Sequence, residues 1–411
     1  MSQRRVVVTG MGALTPVGLD VPSTWDAVVH GRSGIGPVQR FETDDLDVRI
    51  AGEVKDFDPT QFLDRKEARR MDRFLQLGLV AAQEAMRDAE LRITAEDAEQ
   101  VGVIVGSGIG GISTIVDAAI TLHTRGPDRV GPFVVPMMLP DMLAGMVAIQ
   151  TGAKGTNFGI SSACATAGHA LGEAAEIIRR GDAEVIIAGG AEAPVTRIGL
   201  AAFDSMRALS RRNDEPGRAS RPFDAERDGF VLAEAAGILV LESLEHAVKR
   251  DAHIYAEVSG YGSTADAYHI TAPSEGGEGA ARAMRAAIRQ AGLKPADVDY
   301  INAHGTSTPH NDRTESRAIR SVFGDRVPPV SSTKSMTGHL IGASGAVEAI
   351  ICIKTILEGC LPPTINYECP DPDCDLDYVP NVARPKRVNA AMSNSLGFGG
   401  LNTALVVRRF E

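Results

Sequence analysis

"GISSACATAGHALGEAAEIIRRGDAEVIIAGGAEA", residues 159–193, carries three units in one run. A stretch of small residues holding a single cysteine, Cys164, gives way to apolar positions Ala167, Ala170, Leu171, Ala174 and Ile178 at helical spacing. Gly181 is a natural stop for that helix, and "AEVIIAGGAEA" that follows has the length and β-branched content of a buried strand. Loop, helix and buried strand in this order are the repeating unit of an α/β fold.

The alternation continues on both sides. "RRVVVTG" (4–10) and "VGVIVGSG" (101–108) read as strands, and "MDRFLQLGLVAAQEAMRDA" (71–89) as a helix. "AAGILVLESLEHAVKRDAHIYAEVSGYG" (235–262) holds a strand, a short helix and another strand. Then the order recurs: helix in "GGEGAARAMRAAIRQAG", strand "VDYINAHG", helix "NDRTESRAIRSVFG", strand "PPVSST", helix "GAVEAIICIKTILEG", and closing strands "AAMSNSLG" and "NTALVVRRF". Two halves of one plan predict a duplication, with units at 1–253 and 254–411. The residue echo is faint, limited to the Ser, Ser, Gly, His and Gly shared by "SSACATAGHALG" and "SSTKSMTGHLIG". The order of elements is the stronger argument.

Composition narrows the function classes. The 411 residues are 44% hydrophobic, which suits well-buried cores. Lys and Arg total 42 against 53 Asp and Glu, and a net charge of −11 argues against a general nucleic-acid binder. The apolar run near the N-terminus is too short for a secretory leader, and no stretch approaches the ~18 apolar residues of a membrane span. A cytoplasmic protein is expected. Cys164, Cys352, Cys360, Cys369 and Cys374 make an odd set without a CxxC pair, so reduced thiols are expected and no metal site is predicted. Cys352 falls in an apolar helical pattern and reads as core, and "CPDPDC" (369–374) reads as a surface loop.

Two glycine-rich stretches look like nucleotide loops. "GSGIGG" (106–111) fits G-x-G-x-x-G after a strand, but the acidic residue required at a second strand tip falls near Asp128, in a turn. "TGMGALTPVG" lacks the lysine of a phosphate loop. Tight turns explain both, and no cofactor is expected.

Chemistry concentrates after four strands. Cys164 stands at the start of its helix, where unpaired backbone N–H groups and the helix dipole favour a thiolate and can hold an oxyanion. "VDYINAHGTSTPHNDRTE" (298–315) puts a polar His304 directly after an apolar strand. "VSSTKSMTGHLIGASGAVE" (330–348) places Lys334 and His339 in a loop, with Glu348 inside the next helix as a partner for Lys334. "SNSLGFGGLNTALVV" (393–407) adds a glycine-rich turn at Phe398 whose amides can approach a ligand. Singly, each residue has a plain structural reading: a small buried cysteine, a bonded loop histidine, a surface ion pair, a turn. Together, Cys, His and His at strand ends form a catalytic set. His169 lies within the helix, more than a turn past the thiol, and is expected to point away from it.

These blocks closely resemble a known family. "SSACATAGHALG", "NAHGTSTPHND", "SSTKSMTGHLIGASGAVE" and "NSLGFGG" are similar to the four motif blocks of the elongating β-ketoacyl-acyl carrier protein synthases, over essentially the whole chain. "GSGIGG" and "RPFDAERDGFVLAEAAGILVLE" are closer to type II than to type I of that family. The resemblance implies a thiolase-like fold, a five-layered αβαβα arrangement of two similar halves, usually a homodimer. It implies that Cys164 takes the acyl chain from acyl carrier protein, and that His304 and His339 stabilise the enolate formed when a malonyl thioester loses CO2. Amides of Cys164 and Phe398 would hold the oxyanion, with Lys334 tuning the site and pairing with Glu348. Thr306 and Thr308 match positions bonded to phosphopantetheine, Ile109 matches a residue lining the acyl pocket, and Lys66, Arg69, Arg70 and Arg207 match carrier-protein contacts. Leu396 and Leu401 depart from the usual "NSFGFGGTN" and bear on gating and chain length. A polyketide ketosynthase shares all of these motifs. A degradative thiolase would need a second cysteine ahead of the last helix, initiating synthases use Asn in place of His339, and chain-length factors lack the nucleophile.

Overall fold

The computed structural model describes residues 4–411. Ten strands organise it: β1 (Val6–Leu14), β2 (Val101–Gly106), β3 (Asn157–Phe158), β4 (Val185–Glu192), β5 (Ala235–Ser243), β6 (Ala256–Ala265), β7 (Tyr300–Asn302), β8 (Val330–Ser331), β9 (Ala390–Gly397) and β10 (Leu401–Arg408). The main helices are α1 (Arg73–Asp88), α2 (Ile112–Arg125), α3 (Met142–Thr151), α4 (Thr166–Arg180), α5 (Arg197–Ser205), α6 (Glu278–Gln290), α7 (Pro309–Phe323) and α8 (Ser344–Glu358).

The strands form two sets with one topology. The first runs β3-β2-β4-β5-β1 and the second β8-β7-β9-β10-β6. In each, the two short outer strands and the third are parallel, and the last two are antiparallel. The sets meet edge to edge where Val7 pairs with Glu257 and Val8 with Ala256.

Side-chain alternation builds the layers. Along β5, Leu239 and Leu241 enter a central core, while Ile238 and Val240 enter an outer one. The central core holds α4 through Ala167, Leu171 and Ile178 and α8 through Ala346, Ile350 and Ile353, with strand residues from both sets such as Ile186 and Leu405. Outside the first set lie α1 and α3, packed through Phe74, Leu77 and Leu143. Outside the second lie α6 and α7, packed through Met284, Ala287 and Ile319. Five layers result, αβαβα, as the family resemblance implies.

The repeat extends to single glycines. A Cβ at Gly12 would lie 2.1 Å from the Ala81 carbonyl oxygen of α1, and one at Gly262 would lie 2.0 Å from the Ala283 carbonyl oxygen of α6. Each inner strand therefore needs glycine where its covering helix presses on it. Cys352 lies fully buried in the central core. "CPDPDC" is a surface loop of intermediate and exposed residues that ends on the buried Cys374, packed against the outer core of the second set. No helix among the described residues is long and apolar enough to cross a membrane.

Candidate active site

Cys164 sits in a single 3-10 turn, Ala163–Ala165, that leads directly into α4. Ala163 takes φ of +50°, a left-handed conformation that costs an alanine of order 1 kcal/mol or more. Thr166 secures the turn, its hydroxyl donating to the Ala163 carbonyl (2.7 Å) and accepting from the Ser162 N–H (2.9 Å). Small residues here let other chain segments close over the sulfur. A Cβ at Gly397 would stand 2.9 Å from the Ser162 carbonyl and 3.4 Å from the Cys164 nitrogen. Only glycine lets the end of β9 lie against the Cys164 turn, and this brings the Phe398 N–H to the side of the thiol, where it favours the thiolate.

The histidines come from the other half of the chain. His339 Nε2 is 3.0 Å from Cys164 Sγ, and its Nδ1 faces Ser344 Oγ at 3.3 Å. Its backbone is clamped on both sides, N–H to the Val231 carbonyl and C=O to the Ala233 N–H. His304 follows β7, and its ring meets that of His339 edge to face at 5.3 Å. Glu315 in α7 fixes the His304 loop by accepting the N–H groups of His304 and Gly305, each at 2.8 Å. His304 Nδ1 is buried and has no partner. Ligand atoms of Cys164, His304 and His339 all lie within 4.8 Å of one another.

Burial sets the protonation. Both imidazoles are held well below the usual histidine range, first by desolvation and then by the charge of Lys334, so both rings are neutral. Burial also pushes the Cys164 thiol up to about 12, against the pull of Lys334 and of the Phe398 N–H. The expectation of a thiol lowered by its helix start is thereby corrected: at this buried position, desolvation outweighs the charges and dipoles that favour the thiolate. Lys334 itself is buried and paired with Glu348, whose carboxyl is pushed up to about 7 by burial despite that partner.

A cavity of about 560 Å³ opens over the three reactive atoms. Ile109, Thr306, Thr308, Arg207, Leu396 and Phe398 all line it. Thr306 and Thr308 are joined by a 2.9 Å hydroxyl contact. Lys66, Arg69 and Arg70 do not line it; they are exposed on and just after the short helix Arg65–Ala68, with Arg70 stacked over Phe133. His169 is bonded to Ser162 and Ser263 rather than to the thiol. Sequence reading missed Phe203, Met206, Phe230 and the segment Thr271–Pro273, which also line the cavity. Phe230 packs edge-on against His339. These are ordinary apolar or loop residues in the sequence, and only tertiary contact brings them to the site.

A buried thiol and two neutral imidazoles at the floor of a cavity, with backbone N–H groups beside the sulfur, are the groups that an acyl-transferring, carbanion-stabilising site of the condensing class requires. Comparison with known proteins takes this further. The sequence profile described as "Beta-ketoacyl synthase, N-terminal domain" matches residues 3–247, and that described as "Beta-ketoacyl synthase, C-terminal domain" matches residues 255–368. The chain belongs to the beta-ketoacyl synthase family. It is 52% identical over 413 aligned positions to "3-oxoacyl-[acyl-carrier-protein] synthase 2" of Synechocystis sp., covering 100% of this chain and 99% of that one. It is 53% identical to the protein of the same name from Staphylococcus aureus strain COL, covering 100% of both. A solved beta-ketoacyl synthase from Burkholderia phymatum superposes with TM-score 0.92 at 37% identity, covering 99% of this chain and all of that one. A "type II PKS acyl-carrier protein in complex with its ketosynthase bound to the hexaketide" gives TM-score 0.91 at 38% identity, covering 100% of both chains.

Proposed function

We propose that this chain catalyses the decarboxylative Claisen condensation of malonyl-acyl carrier protein with a Cys164-bound fatty acyl chain, giving 3-oxoacyl-acyl carrier protein and CO2. The observation that carries the proposal is the convergence of the Cys164, His304 and His339 reactive atoms within 4.8 Å at the cavity floor. As Sγ attacks the incoming thioester, the thiol proton moves along the 3.0 Å line to His339 Nε2 and on to the departing carrier thiolate. Ser344, facing Nδ1, can donate or accept, so the ring has a partner in either tautomer. The malonyl thioester then binds with its carbonyl oxygen between the two histidines, whose N–H groups take up the negative charge released with CO2. The enolate carbon attacks the acyl carbonyl. The new oxyanion lies against the amides of Cys164 and Phe398, the C–S bond breaks, and the thiolate takes a proton from solvent.

Because both imidazoles are neutral, they offer hydrogen bonds without an added charge that would stabilise the malonyl carboxylate against leaving. Lys334 and Glu348 set the local field and stay out of the bond changes. Thr306 and Thr308 offer hydroxyls along the cavity wall to the phosphopantetheine arm, and Ile109 borders the acyl chain. Lys66, Arg69, Arg70 and Arg207 are assigned to docking of the acidic carrier protein, Arg207 at the cavity itself.

The same proposal divides the chain at residue 253 into two units, supported by the repeated strand order. It makes the protein a cytoplasmic homodimer. Seven large hydrophobic side chains of segment 112–158 are exposed, from Phe158 at 40% to Ile149 at 81%, beside the edge strand β3. A free strand edge within such a patch suits pairing with a second copy.

Fatty acid elongation is favoured over polyketide extension by the higher identity to the 3-oxoacyl-[acyl-carrier-protein] synthases. The test is a condensation assay with malonyl-acyl carrier protein and saturated acyl-carrier thioesters of graded length. A single 3-oxoacyl product and equimolar CO2 are expected. Absence of product with every saturated primer, or repeated extension without ketone reduction, would overturn the fatty acid reading.

A further inference from the structure

Glu192 closes β4 with a fully buried carboxylate that takes no part in the chemistry described above. Four donors converge on it. Oε1 accepts the Ser107 hydroxyl at 2.6 Å and the Ile109 N–H at 3.2 Å, and Oε2 accepts the Gly108 N–H at 2.7 Å and the Gly342 N–H at 3.0 Å. The three backbone N–H groups can only donate, whereas the Ser107 hydroxyl, which also accepts from the Gly110 N–H at 2.9 Å, can donate or accept; burial pushes the Glu192 pKa up.

The donors belong to two different parts of the cavity wall. Ser107, Gly108 and Ile109 form the loop after β2, and Gly342 lies in the turn Ile341–Ala343 that follows His339. A Cβ at Gly342 would stand 2.5 Å from Glu192 Oε2 and 2.6 Å from the Gly108 nitrogen. A Cβ at Gly108 would stand 2.8 Å from the same oxygen. The glycines are what let both loops close on one carboxylate.

We propose that Glu192 is a positioning residue for the condensation, fixing Ile109 at the acyl side of the cavity relative to the turn Ile341–Ala343 that directly follows His339. Acyl-chain length and the alignment of acyl-Cys164 with His339 are then set by one anchor. The inference rests on the acyl-bordering role assigned to Ile109.

Glu192→Gln tests it. The amide keeps one acceptor oxygen, and whichever way it turns its NH2 group faces at least one backbone N–H, so at least one of the hydrogen bonds that tie the loops is lost. Cys164 acylation by short- and long-chain acyl carrier protein would be timed in wild type, Glu192→Gln and Ser107→Ala, with melting curves alongside. Freed from its anchor, Ile109 yields to longer chains. The long-to-short rate ratio is expected to rise about tenfold in Glu192→Gln and about threefold in Ser107→Ala. A folded Glu192→Gln variant that loses rate equally at all lengths, or not at all, would overturn the assignment. Should that variant not fold, Ser107→Ala decides, and an unchanged ratio there rejects the proposal. Failure of wild type to acylate at any length would instead reject the condensing mechanism, and the positioning role with it.

Discussion

The proposed reaction rests on Cys164, His304 and His339, each set in a particular surrounding. His304 has no side-chain partner of its own, which leaves its ring free for a substrate oxygen. His304→Ala is expected to keep Cys164 acylation within a few-fold of wild type. Malonyl decarboxylation should fall about 10²–10³-fold, the usual cost of one donor to a developing oxyanion. Normal CO2 release from that variant would contradict the role. A second residue-scale test concerns stability. Burial raises the Glu242 carboxyl, but hydrogen bonds from His246, Arg250 and Thr9 outweigh it and bring its pKa down to about 2. An acid whose pKa is depressed on folding stabilises the protein above its unfolded value near 4.5, and the gain is lost as pH falls toward 2. The contribution at neutral pH is about 3 kcal/mol. Acid-unfolding curves of Glu242→Gln should show a protein destabilised at pH 7 that converges with wild type toward the acid end of that window. Parallel curves would dismiss the linkage.

Elements place these residues. The end of β9 lies against the Cys164 turn at Gly397 with no room for a side chain, so Gly397→Ala should push the Phe398 amide away from the thiol. Acyl transfer should fall about 10²-fold with the melting temperature nearly kept, since the strand's buried packing is untouched. Leu241→Ala acts oppositely. Leu241 lies fully buried in the central layer, and its loss should cost about 2–5 kcal/mol, read in denaturant melts, without a selective effect on either half-reaction. Much of this was legible in the sequence. The long helices and β-branched strands follow hydrophobic period, and Cys164, His304, Lys334 and His339 announce themselves as polar residues at strand ends. Other parts were not. β3 is two residues long, and α2 and α3 have exposed apolar faces that blur helical periodicity. Glu192 looks like one more strand residue, because its meaning comes from donors far along the chain. The thiol's raised pKa was also hidden, since burial is a tertiary property that a local helix start does not reveal.

At the scale of the whole molecule, two strand sets of one topology place the site between them. The nucleophile belongs to the first strand set and both histidines to the second, and α4 and α8 meet in the shared central layer. Neither half alone contains the chemistry. The exposed apolar segment 112–158 extends the same logic to a pair of chains. Sedimentation should show a dimer, and Ile149→Glu should weaken it. A monomeric wild type at micromolar concentration would remove the dimer from the account. The central claim is that Cys164 is the acyl acceptor, and intact-protein mass spectrometry tests it directly. After incubation with acyl-acyl carrier protein, wild type should gain one acyl mass that is discharged by malonyl-acyl carrier protein, and Cys164→Ala should gain none. An adduct that persists in Cys164→Ala, or no adduct on wild type, would contradict the account.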